Sequence, residues 1–130
     1  MAGMRTVLDT SVVIADHLDE VEGELAISSI TLAELHFGVL VALDPQQRAA
    51  RLQRLVAVER KFEPLAVDTE VARSYGILAA AVRASGRRPQ ARAMDIMIAA
   101  TALAHGARLL TRNASDLRGI EHLMQIRTPD

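Results

Sequence analysis

Short apolar runs alternate along the chain with longer stretches whose apolar residues recur every three or four positions. Thr6-Val7-Leu8 is a brief β-favouring run, and a helical stretch follows from about Val12 to Leu18. Leu25-Ala26-Ile27-Ser28 reads as a second strand. Thr31 or Ser29 then caps a helix through about Leu43, which the turn pair Asp44-Pro45 ends. Pro45 opens a longer helix, with Ala49, Leu52, Leu55, Val56 and Glu59 at helical spacing. Pro64-Leu65-Ala66-Val67 reads as a third strand, and Asp68 or Thr69 caps a helix that reaches Ser85 and stops at Gly86. Beyond an arginine-rich loop, Ala93 to His105 is a helix closed by Gly106. Ala107 to Thr111 is a fourth strand, and Glu121 to Thr128 holds one more short one.

These strands are brief, lack polar alternation and are separated by helices. That pattern describes an α/β fold with a buried parallel sheet and helices on both faces. No internal repeat or low-complexity linker interrupts it, so a single domain over residues 1–130 is expected. Half the residues are hydrophobic and 24% are charged, which excludes native disorder. The absence of cysteine removes disulfides, thiolate zinc sites and cysteine nucleophiles together. No stretch approaches the ~20 apolar residues that span a bilayer. Asp9 and Asp16 interrupt the opening apolar segment and no basic run precedes it, so the expected location is the cytoplasm.

Charge adds more by its distribution than by its sum. The net charge of -1 does not announce a nucleic-acid binder. Acids crowd into Asp19-Glu20-Val21-Glu22-Gly23-Glu24, whereas arginines gather at Arg83, Arg87, Arg88 and Arg92. Arginine suits bidentate contact with phosphate, although a solvated loop has the same composition. Phe37, Phe62 and Tyr75 are the only aromatic residues, too few for a base-stacking platform.

Four acids fall near one edge of the expected sheet, the carboxyl ends of the strands, where chemistry collects in such folds. Asp9 follows the first strand, Glu34 lies early in the helix after the second, Asp95 opens the helix before the fourth, and Asp116 follows the fourth. Each has a plainer explanation: Asp9 and Asp95 as helix caps, Glu34 as a solvated helix residue, Asp116 as a turn former. Their common edge favours a shared task. Gathered carboxylates raise one another's pKa or recruit a cation, and an oxygen-only donor set points to Mg²⁺ or Mn²⁺. Such a site suits phosphodiester hydrolysis, in which a cation acidifies water and stabilises the attacking and leaving oxygens, leaving a 5′ phosphate.

With these residues the sequence resembles the PIN-domain ribonucleases, most closely the VapC-type toxins of bacterial toxin–antitoxin pairs. The matching blocks are Val7-Leu8-Asp9-Thr10-Ser11, Ser28 to Leu35, Met94 to Ala102, and Leu109 to Asn113 with Asp116. The resemblance covers nearly the whole chain. It implies a three-layer α/β/α sandwich with a central mostly parallel sheet, Mg²⁺- or Mn²⁺-dependent cleavage of RNA, a VapB-like antitoxin partner and a homodimer. It maps Asp9, Glu34, Asp95 and Asp116 onto the acidic positions and Ser11, Thr111 and Asn113 onto the polar positions beside them. Two departures stand out. Leu117 follows Asp116 where the family often has Phe, and Asn113 stands where some relatives carry an acid.

The expected roles follow. Asp9 and Asp95 hold the principal metal, with Glu34 and Asp116 completing its surroundings, and Arg87, Arg88, Arg92 and Arg112 are candidate RNA contacts. His17, His36, His105 and His122 share no spacing and read as surface or helix-end residues. The apolar residues around Phe37-Gly38-Val39-Leu40 and Val56 serve either the core or an antitoxin helix. A haloacid-dehalogenase-like phosphatase would need an Asp at position 11, which is Ser, and a receiver domain would need a lysine beyond Lys61. The surviving alternative is a catalytically silent module that binds RNA or an antitoxin.

Overall fold

The computed structural model describes residues 4–15, 18 and 21–129. The elements are β1 (Thr6–Leu8), α1 (Thr10–Ala15), β2 (Leu25–Ala26), α2 (Ser29–Leu40), α3 (Pro45–Lys61), α4 (Thr69–Ala84), α5 (Ala93–Ala104), β3 (Arg108–Leu110) and β4 (Ile126–Arg127). Four-residue 3-10 turns at Pro89–Arg92 and Ala114–Leu117 precede α5 and follow β3. The strand order is β2-β1-β3-β4 and every pairing is parallel.

Successive residues of a strand face opposite sides of a sheet, and here the two sides feed two cores. Val7 and Leu109 pack with Val71, Leu78 and Val82 of α4 and Ile96, Ile98 and Ala99 of α5. Leu8 and Leu110 pack on the other side with Val12 and Val13 of α1, Leu35 of α2, and Leu55 and Val58 of α3. Helices therefore cover both faces, as the short apolar strands led one to expect.

The elements differ from the sequence reading in four places. Helix α1 begins at Thr10, because the Asp9 carbonyl accepts from the Val12 and Val13 amides. Ser28 caps α2, not Ser29 or Thr31, its Oγ accepting from the Ile30 amide. Helix α2 ends at Leu40, three residues early, because the Leu43 amide donates to Gln47 Oε1 and Asp44 caps α3 through the Gln47 amide. The expected third strand shrinks to one bridge between Leu65 and Ser28. Leu65 alone turns its amide to the Ile27 carbonyl and its carbonyl to the Ser29 amide, and Ala66 and Val67 beyond it are exposed. Asp16 and His17 of the expected first helix, and Asp19 and Glu20 of the acidic run, lie outside the described residues, whereas Glu24 at the end of that run pairs with Arg5.

The segment carrying Asp116 is clamped from below. Leu117 and Ile120 are buried in the α4–α5 core, so leucine at 117 does the packing. Between them Gly119 has φ +104°, and a Cβ there would stand 2.8 Å from Ser85 Oγ and 2.9 Å from Ser85 Cβ at the end of α4. Gly119→Ala combines a disfavoured backbone with a collision and should cost roughly 2–4 kcal/mol. A denaturant midpoint equal to the parent's would contradict this account of the clamp.

Candidate active site

Parallel register brings the first two site residues together. Leu8 is opposite Leu110, so Asp9 and Thr111 emerge side by side from β1 and β3, and the Asp9 amide donates to the Leu110 carbonyl at 2.9 Å. Asp9 is only 6% exposed, and a buried carboxylate needs donors. It has three on one oxygen: Ser11 Oγ donates to Oδ2 at 2.6 Å, Thr111 Oγ1 at 3.0 Å and the Ser11 amide at 3.3 Å. The cap reading of Asp9 therefore holds, because the same oxygen caps α1. Ser11 Oγ also accepts from the Arg112 amide at 3.1 Å, and Thr111 Oγ1 from the Asn113 amide at 3.0 Å. Ser11 and Thr111 thus join the two loops to each other through Asp9. Asn113 takes part through its backbone.

Glu34 is held in the same way by residues that the sequence reading passed over. Thr10 Oγ1 lies 2.6 Å from Glu34 Oε1 and 3.0 Å from Thr31 Oγ1. Each hydroxyl has one proton and a carboxylate only accepts, so Thr31 donates to Thr10 and Thr10 donates to Glu34. Thr10 and Thr31 are both buried. A second hydroxyl contact, Thr101 Oγ1 to Ser28 Oγ at 3.1 Å, fixes the start of α2 against α5, the helix that carries Asp95. For Asp9 and Glu34 alike, hydroxyl donors engage one carboxylate oxygen and leave its twin for another partner.

Asp95 lies in the first turn of α5, whose cap position is Arg92, so it is not the cap. Its pKa is raised from 3.8 to about 6, first by burial and then by the charges of Asp9, Glu34 and Asp116, with Arg92 opposing. The four acids are thus close enough to repel. Asp116 sits in the 3-10 turn after β3, its amide donating to the Asn113 carbonyl at 2.9 Å. Arg92 Nη2 stands 3.7 Å from Asp116 Oδ1, while Arg92 Nε is buried without a partner. Arg87 Nη1 donates to the Ser115 carbonyl at 2.8 Å. Two of the four candidate RNA contacts, Arg87 and Arg92, therefore brace the Asp116 turn, whereas Arg88 and Arg112 are exposed. His36, His105 and His122 are exposed, as expected.

A repelling, oxygen-only set with free carboxylate oxygens fits a hard divalent cation in its donor chemistry. Among the described residues, no three acidic or imidazole side chains already converge into a closed cage. Side-chain rotation of the acids would have to complete one. No helix among the described residues is long and apolar enough to cross a membrane.

Residues 6–121 match the family model described as the PIN domain. The chain is 38% identical over 115 residues to Ribonuclease VapC4 of Mycobacterium tuberculosis (strain ATCC 25618 / H37Rv), covering 84% of this chain and 86% of the relative. It is 40% identical over 113 residues to Ribonuclease VapC5 of the same strain, covering 82% of each. Among solved structures, a chain of VapBC-5 from Mycobacterium tuberculosis, a member of the VapBC family of toxin–antitoxin systems, superposes with a TM-score of 0.83 at 34% identity. That match covers 97% of this chain and 98% of the other.

Proposed function

The chain belongs to the PIN-domain family, and from that premise we propose that it is the ribonuclease toxin of a toxin–antitoxin pair, cutting RNA at the Asp9, Glu34, Asp95 and Asp116 cluster. The observation that carries this reading is the gathering of four carboxylates at one sheet edge, where burial and the charges of Asp9, Glu34 and Asp116 together raise the Asp95 pKa at a cost that a structural role does not require. Asp9 and Asp95 would hold Mg²⁺ or Mn²⁺, with Glu34 and Asp116 beside them. The ion, when bound, supplies charge stabilisation to the attacking and departing oxygens of the phosphodiester.

The chain's own residues supply orientation. Ser11 and Thr111 direct Asp9 Oδ1 outward by occupying Oδ2, and Thr10 does the same for Glu34 Oε2. Arg92 balances part of the acidic charge and has an unused buried donor within the cluster. Exposed Arg88 and Arg112 offer guanidinium groups to flanking phosphates. Residues 1–130 act as one domain in this reading, in the cytoplasm where its substrate is found.

The partner is a VapB-like antitoxin, and the exposed apolar residues of α2 and the following turn give it a seat. Phe37, Leu40 and Leu43 are 66%, 72% and 89% exposed, respectively, which favours the partner reading of this stretch over the core reading. A homodimer is also part of the proposal.

Incubation of the purified chain with total RNA in Mg²⁺ or Mn²⁺ tests the function. Discrete fragments with 5′ phosphate ends are expected. RNA that is bound but left intact in both ions would favour the silent binding module instead.

Thr10 offers a finer check. Thr10→Val keeps the shape and removes the donor, so activity should fall ~10–100-fold, as for other groups that orient a metal-binding carboxylate. Thr10→Ser should recover most of it. Full activity in Thr10→Val with loss in Thr10→Ser would mean that the threonine methyl, not the hydroxyl, is what matters.

A further inference from the structure

A cleft of about 320 Å³ adjoins the acid cluster and shares one of its residues. It is lined by Ile14 of α1, Glu34, Leu35 and Gly38 of α2, and Arg51 and Arg54 of α3. Its parts differ in character. Ile14 and Leu35 give apolar surface, and a Cβ placed on Gly38 would meet nothing within 4 Å, so the wall of α2 is cut back there. Arg51 Nη1 donates to the Gly38 carbonyl at 2.6 Å and fixes α3 against α2. Arg54 makes no ion pair among the described residues. The one acid in the cleft, Glu34, is turned toward Thr10 through Oε1.

We propose that this cleft is the subsite for the nucleotide adjoining the scissile phosphate of single-stranded RNA, with its base against Ile14, Leu35 and Gly38 and its phosphate on Arg54. The inference rests on the ribonuclease reading and adds where the strand runs. Three features support it. Glu34 belongs to both the cluster and the cleft, so a strand that leaves the acids on the α2 side passes over the cleft. The volume is at the lower end of small-ligand sites, about 300 to 1,000 Å³, which suits one nucleotide. The α3 wall presents two guanidinium groups, and guanidinium planes serve as stacking surfaces for unpaired bases where aromatic residues are lacking. A protein helix would instead seek the exposed apolar residues of α2 and the turn beyond it, whose outermost members, Phe37, Leu40 and Leu43, do not line this cleft.

The test uses the full chain carrying Asp95→Asn, so that bound RNA is not cut, with Mg²⁺ present. Fluorescence anisotropy follows binding of a labelled random-sequence single strand of about 12 nucleotides across a salt series. Gly38→Leu fills the cleft at a helical position with open space around it, so the fold is retained, and affinity should fall ~10-fold. Arg54→Ala should weaken binding ~5-fold and reduce the slope of log affinity against log salt by about 0.7, one phosphate contact on a single strand. Thermal melts of both variants confirm folding.

Unchanged affinity and slope in both folded variants, while the Asp95→Asn parent binds, overturn the subsite and leave the ribonuclease reading intact. Failure to bind RNA at any salt by both that parent and the chain with Asp95 intact, the latter held in Ca²⁺, overturns the RNA reading and the subsite with it. If both variants bind RNA as the parent does, yet the same two substitutions in the chain with Asp95 intact escape neutralisation by co-expressed antitoxin, the cleft is a protein-docking groove and the proposal falls.

Discussion

Asp95→Asn is expected to give a protein that is inactive and yet more stable than its parent. Under the proposed function Asp95 is a principal cation-holding carboxylate, so the loss of activity should be on the order of 10³-fold. The gain in stability follows first from the burial of the Asp95 carboxylate and then from the charges of Asp9, Glu34 and Asp116. In the folded chain the Asp95 carboxyl ionises at about 6, against 3.8 for an unperturbed group, so the folded state holds its proton more tightly than the unfolded state. Folding stability therefore declines as pH rises from 3.8 toward about 6, and the full cost is present above that window. Undiluted, such a rise corresponds to ~3 kcal/mol. Asp95 is only partly buried, and solvent screening reduces the figure to ~1 kcal/mol, or about 3–5 °C in melting temperature. Melting curves of parent and variant should coincide near pH 4 and separate above pH 6. A gap independent of pH, or none at pH 7.5, would sink the electrostatic account.

The second large effect is reversal of that repulsion by a divalent cation. Chelation should abolish cleavage, and restoring Mn²⁺ should return it. Binding also stabilises the folded state, by about 2.7 kcal/mol when free cation is a hundredfold above its dissociation constant. The pH dependence has a fixed sign. Below about 6 a proton occupies Asp95 and competes with the cation, so cation affinity and cleavage both fall about tenfold per pH unit in that range. Melting temperature measured with and without Mn²⁺ separates this from a direct effect on RNA. The increment should be large at pH 7.5, small at pH 5 and lost in Asp95→Asn. An equal increment in Asp95→Asn would move the cation elsewhere on the molecule.

The fold and the acids were legible in the sequence because both depend on local pattern. Each of the four acids is identified by its distance from a strand end, and parallel strands bring their carboxyl ends to one edge whatever the register. The hydroxyl network was hidden for the opposite reason. Thr10 and Thr31 lie in runs where threonine reads as a cap or a β-former, and their contact spans 21 positions that only the packing of α1 on α2 closes. The arginines show the same limit: guanidinium composition suggested phosphate binding, but Arg87 and Arg92 turn inward to the Asp116 turn. The third strand shrank to a single bridge, because Leu65 alone meets the Ile27–Ser29 backbone while Ala66 and Val67 are exposed, and an apolar run carries no record of how far it will pair.

The pairing of β1 with β3 has a consequence for synthesis. Asp9 receives a hydrogen bond from Thr111, 102 positions later, and Asp95 and Asp116 arrive with the same late segment. A nascent chain halted before α5 holds half the acids, no central strand pair and no donor from the far side for Asp9. Contacts of such long sequence separation form late and together. A translation product stalled before α5 therefore lacks the assembled acid cluster, which forms only once β3 and the Asp116 turn have been made.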